Sequence, residues 1–213
     1  MLSLELVIFD LDGVLVDACE WHRVALNEAL KEVCGYEIPL EEHYKTFNGL
    51  PTNVKLEKLI SRDILDATQQ QKVYALKQSK TIEIIAQHCE RSQEKIDLIK
   101  WLKDKAIIVA CFTNSIRETA YLMLENTGII DELDYILTNQ DVDKPKPDPE
   151  GYKKVLHYFD VLKDNAMIVE DSPKGLKAAY ASGCKVLKVK NATEVNTQNL
   201  KEFIDESFNS NGG

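Results

Sequence analysis

Asp10 and Asp12 stand one residue apart behind the apolar run Val7-Ile8-Phe9, and Gly13 follows them. Side chains alternate along a strand, so the two carboxylates could share a face. The glycine permits a sharp turn, which puts the pair at the carboxyl end of the strand, where open α/β sheets bind ligands. Two carboxylates this close repel each other unless a cation neutralises them or one keeps its proton. An exposed Asp-rich turn would do no chemistry. A calcium loop of the EF-hand kind needs glycine at its sixth position and glutamate at its twelfth. Counted from Asp10 those positions hold Leu15 and Trp21, so that chemistry is excluded. A divalent-metal site with a nucleophilic carboxylate remains, and it needs partners from elsewhere in the chain.

Three segments offer such partners. In Cys111-Phe112-Thr113-Asn114-Ser115, Thr113 brings a hydroxyl, and the N–H groups of Asn114 and Ser115 would make an anion cradle at a helix start. By itself such a segment is as well explained as a helix cap. Asp143-Lys144-Pro145-Lys146-Pro147-Asp148-Pro149 holds two lysines between prolines, which stiffen the loop enough to aim an ammonium at a phosphate. Chemistry alone does not choose between Lys144 and Lys146. Glu170 and Asp171 close the run Ile168-Val169 as a second acidic pair. Hard cations such as Mg²⁺ take oxygen ligands and keep several waters, so one or two carboxylates from each side suffice.

The elements that must carry these residues are short apolar, β-branched runs: Leu4–Phe9, Ala106–Phe112, Tyr135–Thr138, Ala166–Val169 and Lys185–Val189. Such runs suit strands of a parallel sheet buried on both faces. Helical patterns over Ile116–Asn126, Pro149–Phe159 and Ser172–Ala181 alternate with the later runs. The pattern predicts an α/β fold, a doubly wound, Rossmann-like parallel sheet core flanked by helices. Between the first strand and the rest, Trp21–Val33, Val54–Leu65 and Gln70–Ala86 show spacing near 3.6 and no strand. That block is expected to form an inserted α-helical cap domain over 17–88, leaving 1–16 and 89–213 as the core. The polar tail after Phe208 is expected to fray.

The 213 residues are 44% hydrophobic, enough for a sizeable core. A net charge of −9 argues against nucleic acid or an anionic membrane as partner, though local cations can still receive a phosphorylated substrate. Five cysteines without a C-x-x-C pair predict reduced thiols and a cytoplasmic setting. The opening residues read as a strand instead of a signal peptide, and no run approaches the length of a membrane helix.

With these residues in view, the chain resembles the haloacid dehalogenase-like hydrolase superfamily over essentially its whole length. The motif D-x-D-G-x-[LV]-x-D stands as Asp10 to Asp17, the strand ending in Ser or Thr as Phe112-Thr113-Asn114-Ser115, and E-D-S-x-x-G as Glu170 to Gly175. The motif K-P-x-P is taken as Lys144 to Pro147, which selects Lys144 and suggests a cis Lys144–Pro145 bond. The helical block is similar to the small cap of the β-phosphoglucomutase-like branch. The resemblance implies that Asp10 attacks phosphorus to give an aspartyl-phosphate, and that Asp12 protonates the leaving oxygen and later activates water. It implies Mg²⁺ held by the Asp10 carboxylate, the Asp12 backbone carbonyl and Asp171, with Glu170 binding the ion directly or through one of its ligands. Thr113, the Asn114 N–H and Lys144 would hold the phosphoryl oxygens. In the cap, His22 and a lysine would meet the substrate; Lys77 is the first choice, with Lys72 and Lys80 as alternatives.

The expected activity is that of a phosphoric monoester hydrolase: an Mg²⁺-dependent phosphatase acting on a small phosphorylated metabolite, with a sugar phosphate in view. The cap would close over the substrate and set specificity. The chain is expected to be a monomer or weak dimer. A phosphosugar mutase is disfavoured because Thr52 stands where that enzyme carries a cap arginine. A dehalogenase is disfavoured by the presence of Asp12. A silent binding protein on the same scaffold is disfavoured by the intact acidic and basic motifs.

Overall fold

The computed structural model of the chain describes residues 4–208. The tail expected to fray lies outside the described residues. The chain divides into two compact units, one of residues up to Asp17 together with those from Glu90 onward, the other Ala18–Cys89.

The helical unit contains α1 (Cys19–Cys34), α2 (Thr52–Ile60) and α3 (Gln70–His88), with a π-helical turn at His43–Phe47. Its own core gathers Leu26, Leu30, Phe47, Leu56, Leu59 and Val73. The pattern that predicted one helix through Leu65 ends instead at Ile60. There the N–H groups of Ile64 and Leu65 turn back to the Leu59 carbonyl, and Asp63 takes φ 57°. Leu65 is still buried, so the apolar spacing survives while the helix does not.

The second unit holds β1 (Leu6–Phe9), β2 (Ile108–Phe112), β3 (Tyr135–Leu137), β4 (Ala166–Glu170) and β5 (Lys185–Lys188). They form one parallel sheet in the order β3-β2-β1-β4-β5. Helices α4 (Gln93–Lys103), α5 (Arg117–Thr127), α6 (Glu150–Phe159), α7 (Pro173–Ser182) and α8 (Thr197–Phe208) belong to this unit. Every residue of β1 and β4 is buried, as continuous apolar runs in central strands require. The α/β sheet predicted from the sequence is therefore present. From β1 the chain winds outward through β2 to β3, then returns to the other side of β1 for β4 and β5. This reversal makes a topological switch point beside β1, and the crevice at its carboxyl end is where such sheets receive ligands.

Candidate active site

Asp10 follows directly on β1, and its N–H bonds the Val169 carbonyl of β4 at 3.0 Å. The chain then turns tightly: the Leu11 carbonyl accepts from Val14, Leu15 and Val16, and Gly13 N–H bonds Val16 at 2.7 Å. Gly13 takes φ 87°, a region a side chain resists, so the turn requires glycine. The turn brings the Asp12 carboxylate to the end of β2. There its Oδ2 accepts from the Thr113 hydroxyl at 3.1 Å and the Ser115 hydroxyl at 2.8 Å. Thr113 is fully buried, and its oxygen also accepts the Ser115 N–H at 2.9 Å.

Lys146, and not Lys144, stands beside Asp10. Its Nζ donates to Asp10 Oδ1 at 2.7 Å and to the Phe112 carbonyl at 2.9 Å, and lies 3.6 Å from Glu170 Oε1. Lys144 is exposed, and its N–H bonds Glu150 Oε2 at 2.9 Å. The assignment of Lys144 and of a cis Lys144–Pro145 bond is thus corrected, and the cis peptide is Lys146–Pro147. The physical reason is a clamp. The Asn114 side-chain amide donates to the Lys146 carbonyl and accepts the Lys146 N–H, both at 3.0 Å. This pins the second lysine's backbone to the end of β2. The sequence did carry a signal for it, because K-P-x-P also reads from Lys146 through Pro149. Ser115 was likewise foreseen only for its N–H, whereas its hydroxyl is what reaches Asp12.

Oxygens of Asp10, Glu170 and Asp171 lie within 4.8 Å of one another. The tight passage from β4 to α7 sets this up. Ser172 caps α7 by accepting the Gly175 N–H at 3.0 Å, and its hydroxyl donates to Glu170 Oε1 at 3.2 Å. A Cβ on Gly175 would fall on the Glu170 carboxylate, so glycine is what lets helix and acid approach. Burial, opposed by Lys146 and reinforced by Asp12, raises the Asp10 carboxyl. Burial and the charge of Asp10 hold Glu170 well above the usual carboxylate range. Burial and the charges of Asp10 and Asp12 push Asp171 up to about 7. Burial alone would lower Lys146, but Asp10 and Glu170 outweigh it and raise the ammonium. Glu170 Oε2 is buried without a hydrogen-bond partner among the described residues. An orphaned acceptor among crowded, buried carboxylates is an all-oxygen donor set suited to a hard divalent cation.

The helical unit separates its candidate lysines. Lys77 is buried on α3, with Nζ 3.2 Å from His22 Nδ1 and 3.1 Å from Gln78 Oε1. Lys80 is paired with Glu28 and Glu32, and Lys72 is exposed. Thr52 opens α2. No helix among the described residues is long and apolar enough to cross a membrane, and no disulfide joins the five cysteines.

The family model for haloacid dehalogenase-like hydrolases matches residues 7–189. A phosphoglycolate phosphatase of Nitrosococcus oceani is 24% identical over 190 residues, covering 86% of this chain and 82% of that protein. A phosphorylated carbohydrates phosphatase of Thermotoga maritima is 27% identical over 183 residues, covering 84% and 82%. The crystal structure of β-phosphoglucomutase from Clostridium difficile superposes with a TM-score of 0.81 at 20% identity, covering 95% of this chain and 98% of that one. At that identity the likeness speaks for the fold alone.

Proposed function

This chain belongs to the haloacid dehalogenase-like hydrolases, and we propose that this phosphatase uses Mg²⁺ and an aspartyl-phosphate on Asp10 to hydrolyse a small phosphomonoester, a sugar phosphate among the first to be tried. The observation that carries the reading is the buried Lys146 ammonium 2.7 Å from Asp10, at the edge of three converging acids. The ammonium opposes the effect of burial on this carboxyl and aims it, which is what a nucleophile needs. Phosphatase relatives of similar length support the substrate class.

In this reading an Asp10 oxygen attacks phosphorus in line, and the bond from phosphorus to the ester oxygen breaks. Asp12 gives that leaving oxygen a proton. Asp12, now a carboxylate, takes a proton from water, which attacks phosphorus and releases orthophosphate and Asp10. Lys146 and the Asn114 N–H hold the phosphoryl oxygens throughout, and the Thr113 hydroxyl joins them by turning its single proton from Asp12 to the substrate. The Asp10 and Asp171 carboxylates, the Asp12 backbone carbonyl and Glu170 would hold Mg²⁺, which supplies positive charge to the phosphoryl oxygens. His22 and Lys77 are assigned to recognising the remainder of the substrate. The chain is assigned to the cytoplasm as a monomer or weak dimer. Return of the phosphoryl group to a second substrate oxygen, as in a mutase, is not proposed: the two sequence relatives above are named phosphatases and Thr52 offers no charge.

The test is phosphate release from p-nitrophenyl phosphate with Mg²⁺ and with a chelator, followed by a panel of phosphorylated sugars and small acids. Metal-dependent turnover that disappears in Asp10→Asn is expected. Turnover that survives in Asp10→Asn would refute the reading.

A further inference from the structure

Lys146 carries three N–H groups. One goes to Asp10 and one to the Phe112 carbonyl, and the third, with Glu170 Oε1 at 3.6 Å and beyond hydrogen-bond distance, is the one a substrate oxygen would take. Two aromatic rings stand against the same ammonium. The Phe112 ring centroid is 4.8 Å from Nζ and the Tyr152 centroid is 5.0 Å from it. The rings meet edge to face, 5.0 Å apart at 90°, and both side chains are fully buried. Gly151 makes this possible, since a Cβ there would fall on the Phe112 ring. The start of α6 is thus built to bring Tyr152 against Phe112 and both against the lysine.

We propose that Tyr152 is a positioning residue for Lys146, its ring and that of Phe112 forming a wall that leaves the ammonium one direction in which to donate. A π face attracts a cation, and does so more strongly where water is excluded. The attraction is also indifferent to the state of Asp10. When Asp10 becomes an acyl-phosphate its negative charge passes to the leaving oxygen, which the Asp12 proton neutralises, and the esterified carboxyl no longer anchors the lysine as before. The rings do not change between the two states, so they hold Nζ in place across both half-reactions. The ring is the working part. The Tyr152 hydroxyl is buried without a well-formed hydrogen bond among the described residues, although the Lys146 charge acts on it, and Tyr152→Phe separates its part from that of the ring.

The proposal deepens the proposed function and rests on its assignment of Lys146, so the experiment is a double-mutant cycle. Tyr152→Phe and Tyr152→Leu are each made in the native chain and in Lys146→Met, and kcat and KM are measured with p-nitrophenyl phosphate and Mg²⁺. Tyr152→Phe is expected to stay within about 3-fold of the native kcat, and Tyr152→Leu to lose about 10- to 100-fold in kcat with KM little changed. In Lys146→Met, Tyr152→Leu should cost nothing further. If Tyr152→Phe falls as far as Tyr152→Leu, or if the losses from Tyr152→Leu and Lys146→Met add, the proposal is overturned. Tyr152→Met takes the place of Tyr152→Leu if that variant melts below the assay temperature. Failure of both to fold assigns the ring to packing and overturns the proposal equally. Full activity in Lys146→Met would instead bring down the functional reading itself.

Discussion

A buried ammonium touches a buried carboxylate 136 positions away in the chain, and the proposed chemistry rests on that pair. Removing Lys146 would leave the Asp10 charge unpaired in a place from which water is excluded, and would take one donor from the phosphoryl oxygens. Lys146→Met is therefore expected to lower kcat about 10²- to 10³-fold, the scale seen when one preorganised donor is lost. Lys144→Met should remain within about 2-fold, since surface substitutions away from the site perturb little. Steady-state kinetics on the two variants side by side checks this, and a larger loss from Lys144→Met would reverse the assignment. The choice between these lysines was not legible in the chain. Both precede proline, both fit K-P-x-P, and they differ only in what Asn114, 32 residues from Lys146, binds. The acids were legible for the opposite reason. Asp10, Asp12, Glu170 and Asp171 interrupt apolar runs, and a charge at the end of a buried strand needs a partner.

At the scale of the elements, each functional residue stands at a strand end because the next element begins at once. The clearest case is β4 into α7, where Glu170, Asp171 and the capping Ser172 are consecutive and Gly175 faces the Glu170 carboxylate. Gly175→Ala should overpack this junction and destabilise the protein by about 1–3 kcal/mol. It should also weaken Mg²⁺ binding, because the displaced carboxylate belongs to the acid cluster. Thermal melting and an Mg²⁺ titration read both effects, and a variant with native melting and native Mg²⁺ affinity would contradict this picture of the junction. Strands were easy to find in the sequence since continuous β-branched runs have few other uses. Four came out shorter, as β1 begins at Leu6 and not Leu4, and β4 came out one residue longer, through Glu170. The C-terminal helix α8 was not foreseen, although Leu200, Ile204 and Phe208 recur at four-residue spacing and are buried. The polar residues between them hid the pattern.

For the whole molecule, the crowded acids couple stability to pH and to metal. Asp171 is pushed from an ordinary 3.8 up to about 7. Between those values the folded chain binds a proton that the unfolded chain has released. The stability this confers is complete below about pH 4 and is lost as pH rises toward about 7. Bound Mg²⁺ reverses the balance by favouring the carboxylates, so the rise in melting temperature on adding Mg²⁺ should grow from about pH 5 to about pH 8. A rise that shrinks over that range would contradict the shared-cation account. Composition and charge told little at this scale beyond an argument against polyanionic partners, because a net charge of −9 does not reveal one buried ammonium. The central claim is that Asp10 receives the phosphoryl group. Acid quenching of Asp12→Asn during reaction with Mg²⁺ and p-nitrophenyl phosphate, whose leaving phenolate needs no proton, followed by peptide mass mapping, tests it most directly. The account predicts one added phosphoryl group on Asp10, absent when Asp10 is also changed to Asn; a phosphoryl group on any other residue would contradict it.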